Sequence, residues 1–402
     1  MLEIPQMLRS AATETALIEL TSRCNLRCVY CAVSQPGYQG VDLDLSCIDE
    51  VLDTLEDRRV RLININGHGE TTLIKDWADV CVRMLNRGLR LGIVSNFARR
   101  LEDAEVGVFS RFEQVCVSCD TVDPELFTAL RRKAKLSVLL ENMSRIQEQC
   151  RKANIPGPRF SWSVVVSDKT VMDLERLAEK GMQVGVKHFE FCNLTKYPDV
   201  PNAIAVRHIS TLSMEEMLEA RRCIKAVMKR IDSGGCTWSM QSGLLDVLDQ
   251  RLDSKAASEA APAEPVTRYS VDAETGMTRL CMDPWKLVYI HADGTIRTCC
   301  WDWDGMGNLK QGDTLAEAVN NEKMQELRHQ LLTGELSKYC RNCPARALTP
   351  IDNLRSAVRQ LLEEQTAVPP GPIQRWRQLR RLQKSITLPL LSISKTVRRW
   401  RT

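Results

Sequence analysis

Three closely spaced cysteines, Cys24, Cys28 and Cys31, stand in the segment TSRCNLRCVYC at residues 21–31. Thiolates at that spacing can grip three corners of a cubane iron–sulfur cluster, whereas complete ligation takes four. The fourth iron is then left open for a ligand. Zinc and buried free thiols are the alternatives. A structural zinc site wants four ligands, usually as two paired knuckles, and no second pair lies nearby in the sequence. Free cysteines favour the interior but have no reason to gather beside Arg23, Asn25 and Arg27.

A second set lies far downstream. Cys281 is followed by Asp283-Pro284-Trp285, a strand Lys286 to Ile290, the turn Ala292-Asp293-Gly294 and a return strand to Cys299 and Cys300. Cys340 and Cys343 then form a CxxC knuckle. The hairpin and knuckle can hold one cluster through Cys281, Cys299, Cys340 and Cys343. Four cysteines in two pairs also make a respectable zinc site. Cys300 is either another ligand or a packed thiol.

The elements that position these groups alternate strand and helix. Residues 15–20 form a short buried strand running into the first cysteine loop, and Cys47, Val51, Leu52 and Leu55 recur at helical spacing over 45–57. A strand over 61–66 ends in Gly67-His68-Gly69-Glu70, where two glycines permit a tight turn and Glu70 offers an acceptor for an ammonium group. Further strands are expected over 89–94, ending in Ser95-Asn96, and 114–118, ending in Cys119-Asp120. Two more, over 160–166 and 187–192, end the series at Cys192. Helices over 76–86, 124–130, 138–152 and 171–180 separate them. Arg131 and Arg132 follow the second of these. Parallel strands need helical crossovers of one hand, so six such units in 200 residues predict an α/β partial (β/α)6 TIM-like barrel. Reactive groups in such barrels sit at the C-terminal strand ends, where all these motifs fall.

The first loop resembles that of the radical S-adenosylmethionine (AdoMet) superfamily, CxxxCxxC with an aromatic residue, here Tyr30, just before the last Cys. The resemblance implies a [4Fe-4S] cluster whose open iron chelates AdoMet, and release of a 5′-deoxyadenosyl radical that takes hydrogen from substrate. It further implies that Gly67, Gly69 and Glu70 correspond to the family's Gly-Gly-Glu contact to the AdoMet amino group, although His68 splits the glycine pair. By the same resemblance Ser95, Asn96 and Asp120 are ribose contacts and Arg131 a carboxylate contact. The plain alternatives are turn chemistry, a helix cap at Asp120 and a solvated basic pair.

The second half resembles the twitch variant of the SPASM auxiliary domain: Cys281, Gly294 and Cys299 fit its opening pattern, and Gly307-Asn308-Leu309 its continuation. No cysteine follows Cys343, which implies one auxiliary [4Fe-4S] cluster. The cysteine layout is similar to that of 2-deoxy-scyllo-inosamine dehydrogenase, an enzyme that oxidises an aminocyclitol. The expected organisation is a core barrel over 1–200, a helical extension with an Ala/Pro/Glu linker over 201–275, the auxiliary domain over 276–368 and a basic tail over 369–402. Helices are expected over 213–231, 244–253, 315–332 and 352–364.

Composition sets the outer limits. At 402 residues, 44% hydrophobic and 26% charged, the chain suits a globular protein of two domains. No run of 18 apolar residues occurs and MLEIPQMLRS holds no apolar signal core, so neither a spanning helix nor secretion is expected. Sixteen cysteines without a signal point to the cytoplasm, with thiols free or bound to metal. Nine of the 55 Lys and Arg fall in residues 372–402 beside no Asp or Glu, leaving 46 basic against 51 acidic groups elsewhere. Trp376, Leu379 and Leu382 among those arginines suit a basic amphipathic helix on an anionic membrane. A solvated tail suits the composition equally, and nucleic acid is the least favoured partner.

These readings together imply a radical enzyme acting on a small-molecule or glycan-like substrate, with flavodoxin or ferredoxin as electron donor. Oxidation of a sugar or cyclitol alcohol leads, because a carbon radical bearing a hydroxyl becomes strongly reducing on losing a proton and an auxiliary cluster can take that electron. A radical epimerase follows, with Cys119 or Cys192 returning hydrogen. Peptide maturation is third, since only 23 residues precede Cys24, too few for a leader-binding domain. A non-catalytic iron–sulfur or zinc protein is the alternative of another class.

Overall fold

The computed structural model describes residues 3–195, 205–241, 244–253, 276–299, 304–341, 343 and 346–367. The linker around 255–265, Cys300 and the basic tail lie outside the described residues.

Seven strands form the parallel core: β1 (Thr15–Ile18), β2 (Leu62–Ile65), β3 (Arg90–Ser95), β4 (Gln114–Ser118), β5 (Arg159–Val166), β6 (His188–Asn193) and β7 (Thr237–Met240). Each pairs in parallel with the next. The sixfold strand–helix alternation stands as expected, with helices Ile48–Asp57, Trp77–Asn86, Pro124–Leu130, Leu136–Ala153 and Leu174–Gln183 in the crossovers. A further helix, Asp103–Phe109, follows β3 and was not anticipated. Its Glu105 is half of a capping box and accepts from Trp77 Nε1 at 2.8 Å.

Period-2 alternation divides β4, β5 and β6 between two faces. Val115, Val117, Phe160, Trp162, Val164, Phe189 and Phe191 are buried. Trp162 and Phe189 press on the helix at Gly181, where a Cβ would clash with the Phe189 ring and crowd Trp162. Side chains of this size contribute about 1.5–3 kcal/mol each on burial.

The expected helical extension contains a strand. Helix Met214–Ser233, opened by a Ser213/Glu216 capping box, crosses back and delivers β7 to the edge of β6. The sheet also grows at its other end. After β8 (Met277–Arg279), strand β9 (Leu287–Ile290) pairs in parallel with β1, and β10 (Thr295–Arg297) and β11 (Gly307–Asn308) continue antiparallel. One ten-stranded sheet results, in the order β11-β10-β9-β1-β2-β3-β4-β5-β6-β7. The auxiliary hairpin thus shares an edge with the strand that feeds the first cysteine loop. β8 pairs separately with β12 (Leu348–Pro350).

The expected helix over 315–332 is two helices, Leu315–Ala318 and Glu322–Thr333, because Asn321 caps the second by accepting from Met324 N. A small second core gathers Met7, Trp285, Leu331, Leu354 and Val358. Its polar centre is Arg328, 1% exposed, which donates to the carbonyls of Leu8 (2.7 Å), Pro284 (2.6 Å) and Val319 (3.0 Å). Trp285 Nε1 donates to Met7 O at 2.7 Å. The N-terminal segment is therefore part of the auxiliary half. Arg328→Met leaves those carbonyls without their donor, at about 1–3 kcal/mol per unsatisfied buried group. A drop in the anaerobic urea midpoint with an unchanged slope is the expected result.

Candidate active site

The loop carrying Cys24, Cys28 and Cys31 leaves the C-terminal end of β1 and is pinned on several sides. Val29 N donates to Leu130 O at 3.0 Å, and Ser34 Oγ to Cys28 O at 2.8 Å. Arg23 pairs with Asp42. Cys28 is buried, while Cys24 and Cys31 are partly exposed. Burial pushes the Cys24 thiol up to about 11 and the Cys28 thiol up to about 12. Thiols so disfavoured as anions become ligands when a cation compensates the charge, so three converging donors fit a cluster held at three irons.

The structure brings Glu70, Ser95 and Asn96 together beside that loop. Glu70, 2% exposed, accepts from Ser95 Oγ and Thr72 Oγ1 on Oε1, both at 2.8 Å, and from Asn96 N on Oε2 at 2.7 Å. A carboxylate has about four acceptor sites, so Oε2 keeps capacity for another donor. Asn96 Nδ2 reaches Asn25 Oδ1 at 2.9 Å and lies 3.8 Å from Cys24 Sγ. The two glycines of the turn serve close approach to the protein itself. A Cβ at Gly67 would collide with the Glu19 carboxylate, and one at Gly69 with the backbone of Thr21–Arg23.

Asp120 and Arg131 meet each other. Arg131 closes its fork on Asp120, Nε to Oδ2 at 2.8 Å and a terminal nitrogen to Oδ1 at 3.0 Å. Tyr30 Oη also donates to Asp120, and Val165 N does so at 2.9 Å. Burial disfavours the Arg131 cation, but the charge of Asp120 and its hydrogen bond, with Tyr30 and Cys28 beside them, together outweigh burial and hold Arg131 protonated. Contacts to ribose and carboxylate were expected of these residues; what the structure shows is a buried node that ties Tyr30, the last residue before Cys31, to β4 and β5.

The two expected hydrogen donors separate. Cys119 is fully buried in the core, 3.5 Å from the Thr121 carbonyl. Cys119 is thus packed away from any open face, and Cys192 is the better placed of the two. Cys192 is partly exposed and lies 3.5 Å from Ser163 Oγ, on the sheet face turned away from the packed helices. Several residues not singled out above share that face. Gln114 Nε2 donates to Asn64 Oδ1 at 3.1 Å across Gly92, where any Cβ would clash with both side chains. Cys116 pairs with Ser161, and Ser163 with Glu190, in the strand register. The sequence signal was there: small or polar residues alternate with large apolar ones over 114–118, 160–164 and 188–192.

All four auxiliary cysteines, Cys281, Cys299, Cys340 and Cys343, line one cavity of about 520 Å³. Arg279 and Arg346, missed in the sequence, hold its walls. Arg279 donates to the carbonyls of Cys340 (3.0 Å), Arg341 (2.6 Å) and Arg346 (2.9 Å). One terminal nitrogen of Arg346 donates to both carboxylate oxygens of Asp283, at 2.7 and 2.9 Å. Burial holds the Cys281 thiol well above its ordinary pKa, so this donor set too fits a metal centre.

Family models cover the segments that carry both cysteine sets. Residues 18–181 match the radical SAM superfamily model, and residues 281–344 match the SPASM model, an iron–sulfur cluster-binding domain. The chain carries a radical SAM domain followed by a SPASM domain. These domains bring AdoMet, a [4Fe-4S] cluster and auxiliary iron–sulfur ligation as cofactors, and Cys24, Cys28 and Cys31 are the candidate ligands of the first cluster. Among curated proteins it is 26% identical over 183 residues to the tungsten-containing aldehyde ferredoxin oxidoreductase cofactor-modifying protein of Pyrococcus furiosus, covering 44% of this chain and 50% of that one. It is 27% identical over 196 residues to the GTP 3′,8-cyclase of Nautilia profundicola, covering 46% and 58%. The chain thus spans about half the length of the curated relatives it matches. Streptococcus suis SuiB shares the fold with a TM-score of 0.58 at 13% identity, over 81% of this chain and 70% of that one. AdoMet-bound anSMEcpe shares it with a TM-score of 0.51 at 15% identity, over 93% and 96%. No described helix is long and apolar enough to cross a membrane.

Proposed function

We propose that this radical SAM protein oxidises an alcohol of a polyhydroxylated small molecule, a sugar or cyclitol, held on the inner face of the barrel. One observation supports the substrate class: the helix-free face of β2, β4, β5 and β6 presents Asn64, Gln114, Ser161, Ser163 and Glu190 in adjoining registers. Amides, hydroxyls and a carboxylate are the groups that pair with a ring of hydroxyls. When bound, the cofactors supply an acceptor for the substrate hydrogen atom and, at the auxiliary site, an acceptor for one electron. In this reading Asn64, Gln114 and Ser161 orient the hydroxyls, and Glu190 takes the hydroxyl proton. Glu70, Ser95 and Asn96 hold AdoMet, and the Asp120–Arg131 node keeps Tyr30 and the cysteine loop in place. A small one-electron carrier such as flavodoxin or ferredoxin serves as reductant.

The position of Cys192 favours a second reading, epimerisation, in which its thiol returns a hydrogen atom to the opposite face of the substrate carbon. Both readings are tested by incubating the reduced, reconstituted protein with AdoMet in D2O against panels of polyols and of peptides. Oxidation predicts 5′-deoxyadenosine formed with a polyol, a carbonyl product carrying no solvent deuterium, and turnover that survives Cys192→Ala. Epimerisation predicts one carbon-bound deuterium and loss of turnover in that variant. Stimulation by peptides and not by polyols would overturn the substrate class.

A further inference from the structure

Outside the site just described, Glu19, His68 and His291 converge from three separate elements. Glu19 follows β1, His68 lies in the turn after β2, and His291 follows β9 in the auxiliary half. One potential ligand atom from each lies within 4.8 Å of the others.

The contacts among them have the lengths of a coordination shell. His68 Nδ1 lies 3.5 Å from Glu19 Oε1, and His291 Nδ1 lies 3.4 Å from Glu19 Oε2. Both exceed the 2.7–3.2 Å typical of N–H···O hydrogen bonds. Donors about 2.0–2.1 Å from a tetrahedral zinc ion stand roughly 3.3–3.4 Å apart. The carboxylate is already oriented by backbone donors, His68 N at 2.5 Å on Oε1 and Ala292 N at 3.1 Å on Oε2. Each oxygen has two acceptor sites, so one remains on each for a cation.

A second observation points the same way. His291 is 5% exposed, and its Nε2 is buried without a hydrogen-bond partner. Nδ1 faces Glu19 Oε2 at 3.4 Å, so the ring keeps one nitrogen unpaired inside the protein, and a buried polar atom without a partner calls for an explanation such as an ion or a water. Tyr289 stacks on the ring at 3.9 Å and fixes its plane. His68, by contrast, is 39% exposed, which leaves a solvent path for metal entry.

We propose that Glu19, His68 and His291 form a divalent metal site, with Zn2+ as the ion best suited to two imidazoles and one carboxylate. Bound there, the ion ties the auxiliary hairpin to the turn that carries Glu70. The site is distinct from both cysteine sets and uses none of their thiols.

The test uses the full chain, reconstituted anaerobically so that iron and sulfide occupy the cysteines, then equilibrated with Zn2+ alone. The expected result is one zinc per chain whose K-edge spectrum shows nitrogen and oxygen at about 2.0–2.1 Å and no sulfur shell near 2.3 Å. His68→Gln and His291→Gln should each weaken zinc binding at least tenfold with iron content unchanged. His68 is exposed enough for its replacement to fold, and iron loading reports the fold of both variants. A sulfur shell, no retained zinc, or binding equal to the parent in both variants would overturn the proposal.

Discussion

Replacing Cys24, Cys28 and Cys31 together with Ala is expected to lower iron from roughly eight to roughly four per chain, as two cubane clusters require, and to abolish 5′-deoxyadenosine formation. The physical reason is that the loop is held by contacts that do not use its thiols: Val29 to Leu130, Ser34 to the Cys28 carbonyl, and Arg23 to Asp42. Only Cys28 among the three is buried, so the variant loses little packing and folds. The auxiliary cavity, built by Arg279 and Arg346 on other elements, keeps its iron. Anaerobic iron and sulfide analysis with EPR checks this. Near-complete loss of iron in the variant would show that the auxiliary site holds no cluster and would remove the electron acceptor from the proposed oxidation.

The second large effect is expected at the buried node. Asp120→Ala strands Arg131, which is 7% exposed, without its counter-charge. Removing one partner of a buried ion pair costs about 3–5 kcal/mol, readable as a lowered urea midpoint. Tyr30→Phe removes one hydrogen bond to a charged group, worth about 1.5–3 kcal/mol, and should be the milder change. Both substitutions loosen the residue that precedes Cys31. Groups that orient metal ligands from behind typically change affinity or activity by about 10–100-fold when lost, so AdoMet cleavage should fall by that order in Asp120→Ala. Unaltered cleavage in a destabilised Asp120→Ala would confine the node to a role in stability.

Much of this architecture was legible from local patterns. The segment Gln114–Ser118 and the helix Pro124–Leu130 fall where alternation and the Asp123-Pro124 cap place them. β7 was not singled out: Thr237-Trp-Ser-Met240 alternates polar and apolar over only four residues, too short a run to read alone, and pairing with the β6 edge makes it a strand. Period-2 polarity on β4, β5 and β6 could have revealed the inner face, since small polar residues there alternate with Trp162, Phe189 and other large apolar groups. The break before Glu322 was also readable, because Asn321 is a good helix cap.

The sequence by itself determined the chemistry. The spacing within Cys24, Cys28 and Cys31, the second set ending in Cys340 and Cys343, and the strand–helix alternation are local, and local spacing is what the chain encodes directly. Tertiary structure decided the partners. Asp120 and Arg131 turned toward each other, Cys119 went into the core while Cys192 remained on the open face, and Glu19, His68 and His291 met from elements up to 272 residues apart. These outcomes depend on which strand edges pair and which side chains can be satisfied once water is excluded, and no sequence-local rule carries that information.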